Sequence, residues 1–134
     1  RYWRMCGKGL LIHVAESQDA INAKYAIQYL KPNRIAHGIK TIPHHIDIIK
    51  MATDSNIAFD IALSSNLMTG IVDKLCNHPV RIMADNNAII TIGTDDPITF
   101  GTTLQKEYSL LSELLSETHI QQIKINSQMY ALNY

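Results

Sequence analysis

The feature that most constrains this chain is a repeated local design, an apolar run that ends in a polar residue. Leu10-Leu11-Ile12-His13-Val14-Ala15-Glu16, Arg34-Ile35-Ala36-His37-Gly38, Ile57-Ala58-Phe59-Asp60-Ile61-Ala62-Leu63 leading into Ser64-Ser65-Asn66, and Ala88-Ile89-Ile90-Thr91-Ile92-Gly93-Thr94-Asp95-Asp96 all follow it. The polar ends His13, His37, Ser65 and Asp95 recur at intervals of 24, 28 and 30 residues, the length of one strand plus one helix. Runs rich in β-branched residues and lacking alternation predict strands buried on both faces. Parallel strands need helical crossovers, so the order β-α-β-α-β-α-β-α-α predicts a parallel sheet with helices packed outside it. Ligands of such folds bind at the C-terminal strand ends, where these polar residues fall. Four units make either a small open sheet or half of an eight-stranded barrel, which typically takes ~250 residues.

The segments between the strands read as helices. Ser17 and Asp19 are candidate caps for a helix over 20–30, with Ile21, Ala23, Ala26, Ile27 and Leu30 at helical spacing and Pro32 as the stop. Thr41 and Pro43 open the next, with Ile42, Ile46 and Ile49 on one apolar face. A short helix is expected over 79–86, after a looser segment containing Gly70. Leu104, Tyr108, Leu111 and Leu115 mark another helix, and a last one covers 120–132.

Composition narrows the function. The 134 residues, 46% of them hydrophobic, suit one globular unit with a real core. Twelve basic and twelve acidic residues cancel, so no charged face calls for nucleic acid or an anionic membrane, and no apolar run is long enough to span a bilayer. Cys6 and Cys76 lack metal-ligand spacing and read as free buried thiols, in keeping with a reducing, cytoplasmic compartment. Arg1-Tyr2-Trp3-Arg4-Met5 reads as the end of a helix, so the chain is expected to be a piece of something longer.

His, Glu, His and Asp on one rim are the residue types of a metal-assisted hydrolase. Imidazole and carboxylate suit Zn²⁺, which brings the pKa of a bound water to about 7, and a nearby Glu can move protons. No Gly-rich phosphate loop, no Gly-x-Ser-x-Gly elbow and no Cys-His pairing is present. Ser64 and Ser65 have no evident base and read as loop or pocket hydroxyls. His44, His45, His78 and His119 sit at helix starts or on exposed segments and read as capping or solvated.

Together, His13-Val14-Ala15-Glu16, Arg34-Ile35-Ala36-His37-Gly38, Ser64-Ser65-Asn66 with Thr69-Gly70, and Thr94-Asp95-Asp96-Pro97 resemble the adenosine deaminase family in order and spacing. Phe100-Gly101-Thr102-Thr103-Leu104 with Glu107-Tyr108 continues the match. The resemblance implies a metal-dependent (β/α)8 barrel that replaces the 6-amino group of adenosine by a carbonyl and releases ammonia. It implies that residues 1–134 form the C-terminal portion of a single barrel domain whose N-terminal half is absent. His13 and Asp95 would ligate zinc, Glu16 would protonate the purine ring nitrogen beside the reacting carbon, and His37 would position and help deprotonate the attacking water. Asp96 would hydrogen-bond the imidazole part of the purine, with strand alternation dividing the two carboxylates between metal and substrate. Val14, Ala15 and Ala36 depart from the family's blocks, two of them where it has Gly, and add bulk near the pocket. The family's His-x-His ligands on its first strand have no counterpart here, so the zinc site is incomplete in this sequence and the isolated chain is expected to be inactive. Half a barrel is also expected to expose an apolar interior and two edge strands. Adenine or a modified adenosine nucleotide as substrate, a non-catalytic binding or assembly module, and another amidohydrolase activity remain the alternatives.

Overall fold

A computed structural model of the chain describes residues 6–17, 19–42 and 44–131. The stretch from Arg1 to Met5, Pro43 and Leu132, the expected end of the last helix, lie outside the described residues. Four strands, β1 (Leu11–Val14), β2 (Arg34–His37), β3 (Ala58–Ile61) and β4 (Ile90–Ile92), form one sheet in the order β1-β2-β3-β4. Every neighbouring pair is parallel, in a register that aligns His13, Ala36, Asp60 and Thr91 across the sheet. The helices are α1 (Ile21–Tyr25), α2 (Ile46–Asp54), α3 (Leu63–Met68), α4 (Val80–Asp85), α5 (Leu104–Ser112) and α6 (Glu117–Met129). The expected parallel α/β architecture is what the chain forms.

The core lies between one sheet face and the helices. Ile35, Phe59, Ile61 and Ile90 from the strands pack with Ile48, Ile49, Ala52, Met83 and Leu111 from the helices, all fully buried. Each such side chain contributes roughly 1.5–3 kcal/mol by leaving water. Within α2 the buried face is carried by Ile48 and Ile49, while Ile46 is 40% exposed, so the apolar stripe begins one turn later than expected. Asp19 caps α1 by accepting the Ile21 N–H at 3.0 Å. That helix then widens into a π-helical stretch over Ala26–Leu30 and stops at Lys31, whose φ of 48° is left-handed.

Three expectations are corrected. Burial on both faces holds for β4, whose three residues are all buried, but not for the other strands: their face opposite the helices carries Leu11, His13, Arg34 and Asp60, all of them partly or wholly exposed. Nor is that open face apolar, because Arg34 Nη1 lies 3.6 Å from Asp60 Oδ1, which also accepts the Thr91 hydroxyl at 2.5 Å. Cys6 and Cys76 are free but exposed, Cys76 because it falls in a one-turn surface helix over Leu75–Asn77. Edge strands are as expected, since β1 and β4 end the sheet among the described residues.

Candidate active site

The strand tips converge because the chain leaves three of them in a left-handed conformation. Ala15, His37 and Asp95 take φ of 54°, 62° and 55°. A non-glycine residue there costs roughly 1–2 kcal/mol, and such strain concentrates at functional sites. Past Ala15, the chain turns so that Glu16 lies back over the rim, with its Oε2 2.7 Å from His13 Nε2. The other oxygen of Glu16 lies 3.4 Å from His37 Nδ1. The rings of His13 and His37 approach to 4.4 Å between centroids, tilted by 45°. His37 is buried and His13 is 58% exposed in its side chain.

Gly38 makes the His37 corner possible. Its φ is +66°, and a Cβ there would stand 2.6 and 2.7 Å from two ring atoms of Phe59. The chain can therefore reverse directly over the core while His37 stays at the rim. Burial disfavours a charged imidazole and lowers the pKa of His37; His13 adds to that, while Glu16, Asp95 and Asp60 oppose it.

Asp95 closes the far side, its Oδ2 3.8 Å from His37 Nε2 and accepting the Ser65 hydroxyl at 2.7 Å. Its neighbour Asp96 points elsewhere. Asp96 accepts from the backbone of Ile98 and Thr99 at 3.2 and 3.1 Å and from the Thr99 hydroxyl at 2.5 Å, so its carboxyl sits below the usual range. Strand alternation does not separate the two carboxylates, because β4 ends at Ile92 and Asp95 is already left-handed. An open cavity of about 480 Å³ beside these groups is lined by Arg34, Ala36, His37, Asp60, Gly93 and Asp95 among others.

The residue between the tips is Asn66, which is fully buried. It belongs to α3, which starts one residue after Ala62 rather than in the expected loop, so Ser64 and Ser65 occupy a helical turn. The reason is non-local. Buried Glu107 accepts the Ser64 N–H at 3.2 and 3.3 Å at the start of α3 and the Thr102 hydroxyl at 2.7 Å. The Asn66 amide nitrogen donates to Glu16 Oε1 at 3.3 Å and lies 3.1 Å from His37 Nδ1. His78 caps α4, accepting the Val80 N–H at 3.1 Å, but is only 3% exposed and uses its other nitrogen on Asn66 Oδ1 at 3.2 Å. Sequence reasoning gave no role to Asn66, Glu107 or this second contact of His78. The Ser64-Ser65-Asn66 block was the one signal that pointed at Asn66.

His13, Glu16 and His37 offer ligand atoms within 4.8 Å of one another, so two imidazoles and a carboxylate could hold a metal ion. Nitrogen and carboxylate oxygen donors fit Zn²⁺. This trio shares only His13 with the His13–Asp95 pair that the resemblance implies, and Asp95 stands beside it.

The chain matches the adenosine deaminase family profile over residues 2–132. An adenosine deaminase of Vibrio parahaemolyticus is 34% identical over 125 residues, covering 92% of this chain and 37% of that protein. An adenine deaminase of Rhizobium leguminosarum bv. trifolii is 32% identical over 110 residues, covering 82% and 34%. The chain thus spans about a third of the length of the curated relatives it matches. Among solved structures, an adenine deaminase from Arthrobacter aurescens superposes with a TM-score of 0.85 at 24% identity, covering 96% of this chain and 39% of that one. An amidohydrolase from Burkholderia ambifaria with bound Zn gives 0.80 at 18% identity, covering 96% and 36%. At these identities the likeness is one of fold, and it identifies the four-stranded sheet as part of a (β/α)8 barrel.

Proposed function

This chain belongs to the adenosine deaminase family, and we propose that it carries part of the active site of a zinc-dependent hydrolase that deaminates adenosine or a related 6-aminopurine in the cytoplasm. The observation that carries the reading is the convergence of His13, Glu16, His37 and Asp95 at the tips of three parallel strands. The chain is read as the C-terminal portion of the barrel domain, with the remaining metal ligands supplied from the strands that complete it.

In this reading His13 and Asp95 help hold Zn²⁺, which supplies a Lewis acid that lets water lose a proton near neutral pH. Burial keeps His37 neutral at that pH, and its position beside Asp95 suits it to orient the attacking water. As the water oxygen bonds to C6, the ring electrons move onto the adjacent nitrogen. Glu16, half-buried between two histidines, takes the proton that the water loses and delivers it to this nitrogen. The C6–amine bond then breaks as the remaining hydroxyl proton passes to the amine, leaving the 6-oxo product and ammonia. Asp96, exposed past the tip of β4, is the group proposed to meet the imidazole part of the purine.

The test is ammonia release by the full-length protein from adenosine and from adenine, measured side by side with zinc content. About one zinc per chain is expected, and Glu16→Gln and Asp95→Ala should each lose at least ~100-fold in rate. Undiminished activity in Glu16→Gln would sink the assignment. Activity on adenine alone would move the substrate from nucleoside to free base while keeping the chemistry. No release of ammonia from either, by a zinc-loaded protein, would favour a non-catalytic binding module.

A further inference from the structure

His78 touches none of the strand tips, yet it is wired into them through hydrogen bonds that each have one allowed direction. Its Nδ1 lies 3.1 Å from the backbone nitrogen of Val80. A backbone N–H can only donate, so Nδ1 is the accepting nitrogen, and in the neutral ring Nε2 carries the hydrogen. The ring stays neutral because burial, together with nearby His37, pushes its pKa down to about 4. That Nε2–H faces Asn66 Oδ1 at 3.2 Å. Turning the Asn66 amide over would set its NH2 against this N–H, so the amide orientation is fixed.

The amide nitrogen of Asn66 must then face the site, 3.1 Å from His37 Nδ1 and 3.3 Å from Glu16 Oε1. It too can only donate, so the neutral His37 ring accepts at Nδ1 and holds its hydrogen on Nε2. The competing tautomer has an obvious partner. Glu16 Oε1 lies 3.4 Å from His37 Nδ1 and would accept a hydrogen placed there. Asn66 and Glu16 thus pull His37 towards opposite tautomers, and His78 decides which way Asn66 acts.

We propose that His78, acting through Asn66, is a positioning residue that sets the tautomer of His37 and presents its Nε2–H on the Asp95 side of the site. That confines His37 to orienting an oxygen by donating to it, and leaves proton uptake to Glu16. The effect on rate rests on the deaminase reading; the tautomer relay does not.

The test is nitrogen NMR of ¹⁵N-histidine-labelled full-length protein near pH 8, read for His37. The parent should show an acceptor-type Nδ1 and a protonated Nε2. His78→Leu removes the relay's donor and should give a mixture or the inverted tautomer, with kcat down about 10–100-fold and KM changed less than about twofold. His78→Gln keeps a donor towards Asn66 and should restore the parent pattern and most of the lost rate. Should His78→Leu fail to fold, Asn66→Asp replaces the donor facing His37 by an acceptor and should invert the tautomer outright. An unchanged His37 pattern in His78→Leu or Asn66→Asp overturns the proposal, as does a rate loss equal in the Leu and Gln variants. A parent that releases no ammonia refutes the deaminase reading, yet the nitrogen pattern still decides the relay.

Discussion

Acid should reveal what it takes to keep His78 uncharged in the core. Burial, and to a lesser extent His37, brings the ring from 6.5 to about 4 in the folded chain. Above pH 6.5 neither the folded nor the unfolded chain is protonated there, and the full contribution to stability is present. As pH falls from 6.5 towards 4, the unfolded chain binds a proton that the folded chain refuses, so the unfolding free energy drops. Below about 4 both states are protonated and the loss levels off. The interval is roughly 2.5 pH units, and at 1.36 kcal/mol per unit the loss comes to ~3 kcal/mol. With the side chain 3% exposed, solvent screening takes little from that figure. His37 and Asp96 are also lowered and pull stability down in the same direction, so the raw pH curve does not isolate His78. A difference measurement does. Urea unfolding of the full-length parent and of His78→Gln, from pH 7 to pH 4, should show the gap between them moving by about 3 kcal/mol in favour of the variant. Two curves that run parallel within ~0.5 kcal/mol would refute the reasoning, since they would mean that His78 titrates alike folded and unfolded.

Other substitutions test the backbone and the buried supports. Gly38→Ala forces a Cβ to within 2.7 Å of the Phe59 ring at a φ of +66°, so strain and overpacking should together destabilise by ~2–4 kcal/mol in urea unfolding; less than 1 would contradict the geometry. Ala15→Gly should do the reverse, because Ala15 sits at φ 54°: relief of strain outweighs the added freedom of the unfolded chain by ~0.5–1 kcal/mol, and a lowered melting temperature would contradict this. Glu107→Gln weakens the charged acceptor for Ser64 N–H and the Thr102 hydroxyl. It should cost ~1.5–3 kcal/mol in the same assay, and a neutral effect would mean that α3 is held otherwise.

The frame of the molecule was legible because its determinants are local. Each apolar run is a strand, each polar end lies on one rim, and the 24-to-30-residue spacing announced parallel connections. What escaped depends on partners far away in sequence. Ser64, Ser65 and Asn66 have side chains that compete with the backbone and favour loops, so a helix there was not expected. Glu107, 43 residues on, supplies the acceptor at its first turn. His78 reads from the sequence as capping or solvated; it caps α4 but is buried, and its second nitrogen reaches Asn66, 12 residues back, which nothing local announces. The open sheet face was also misread. Leu10 to Val14 looks equally apolar on both sides, and only the assembled sheet shows one side carrying His13 in line with Asp60.

The left-handed residues show why a site stands at this edge of the sheet rather than the other. Among the described residues six non-glycine residues have positive φ, and they divide by position. Lys31, Asn56 and Asn87 follow helices and lead into strands, and two of the three are Asn, which enters this region at low cost. Ala15 and Asp95 follow strands and His37 ends one, and glycine would relieve strain at each of them. Glycine, however, would remove the side chain. In an undistorted strand His37 would share the face of Ile35, among the helices, and could not bring its ring beside His13. Asp95 likewise reaches Ser65 and His37 only because the chain has turned out of the line of β4. The strain at these two tips is therefore the physical cost of aiming an imidazole and a carboxylate across the rim. Ala15 carries the same strain with no polar group to aim, which is why it is the one of the three where glycine should raise stability without removing a functional group.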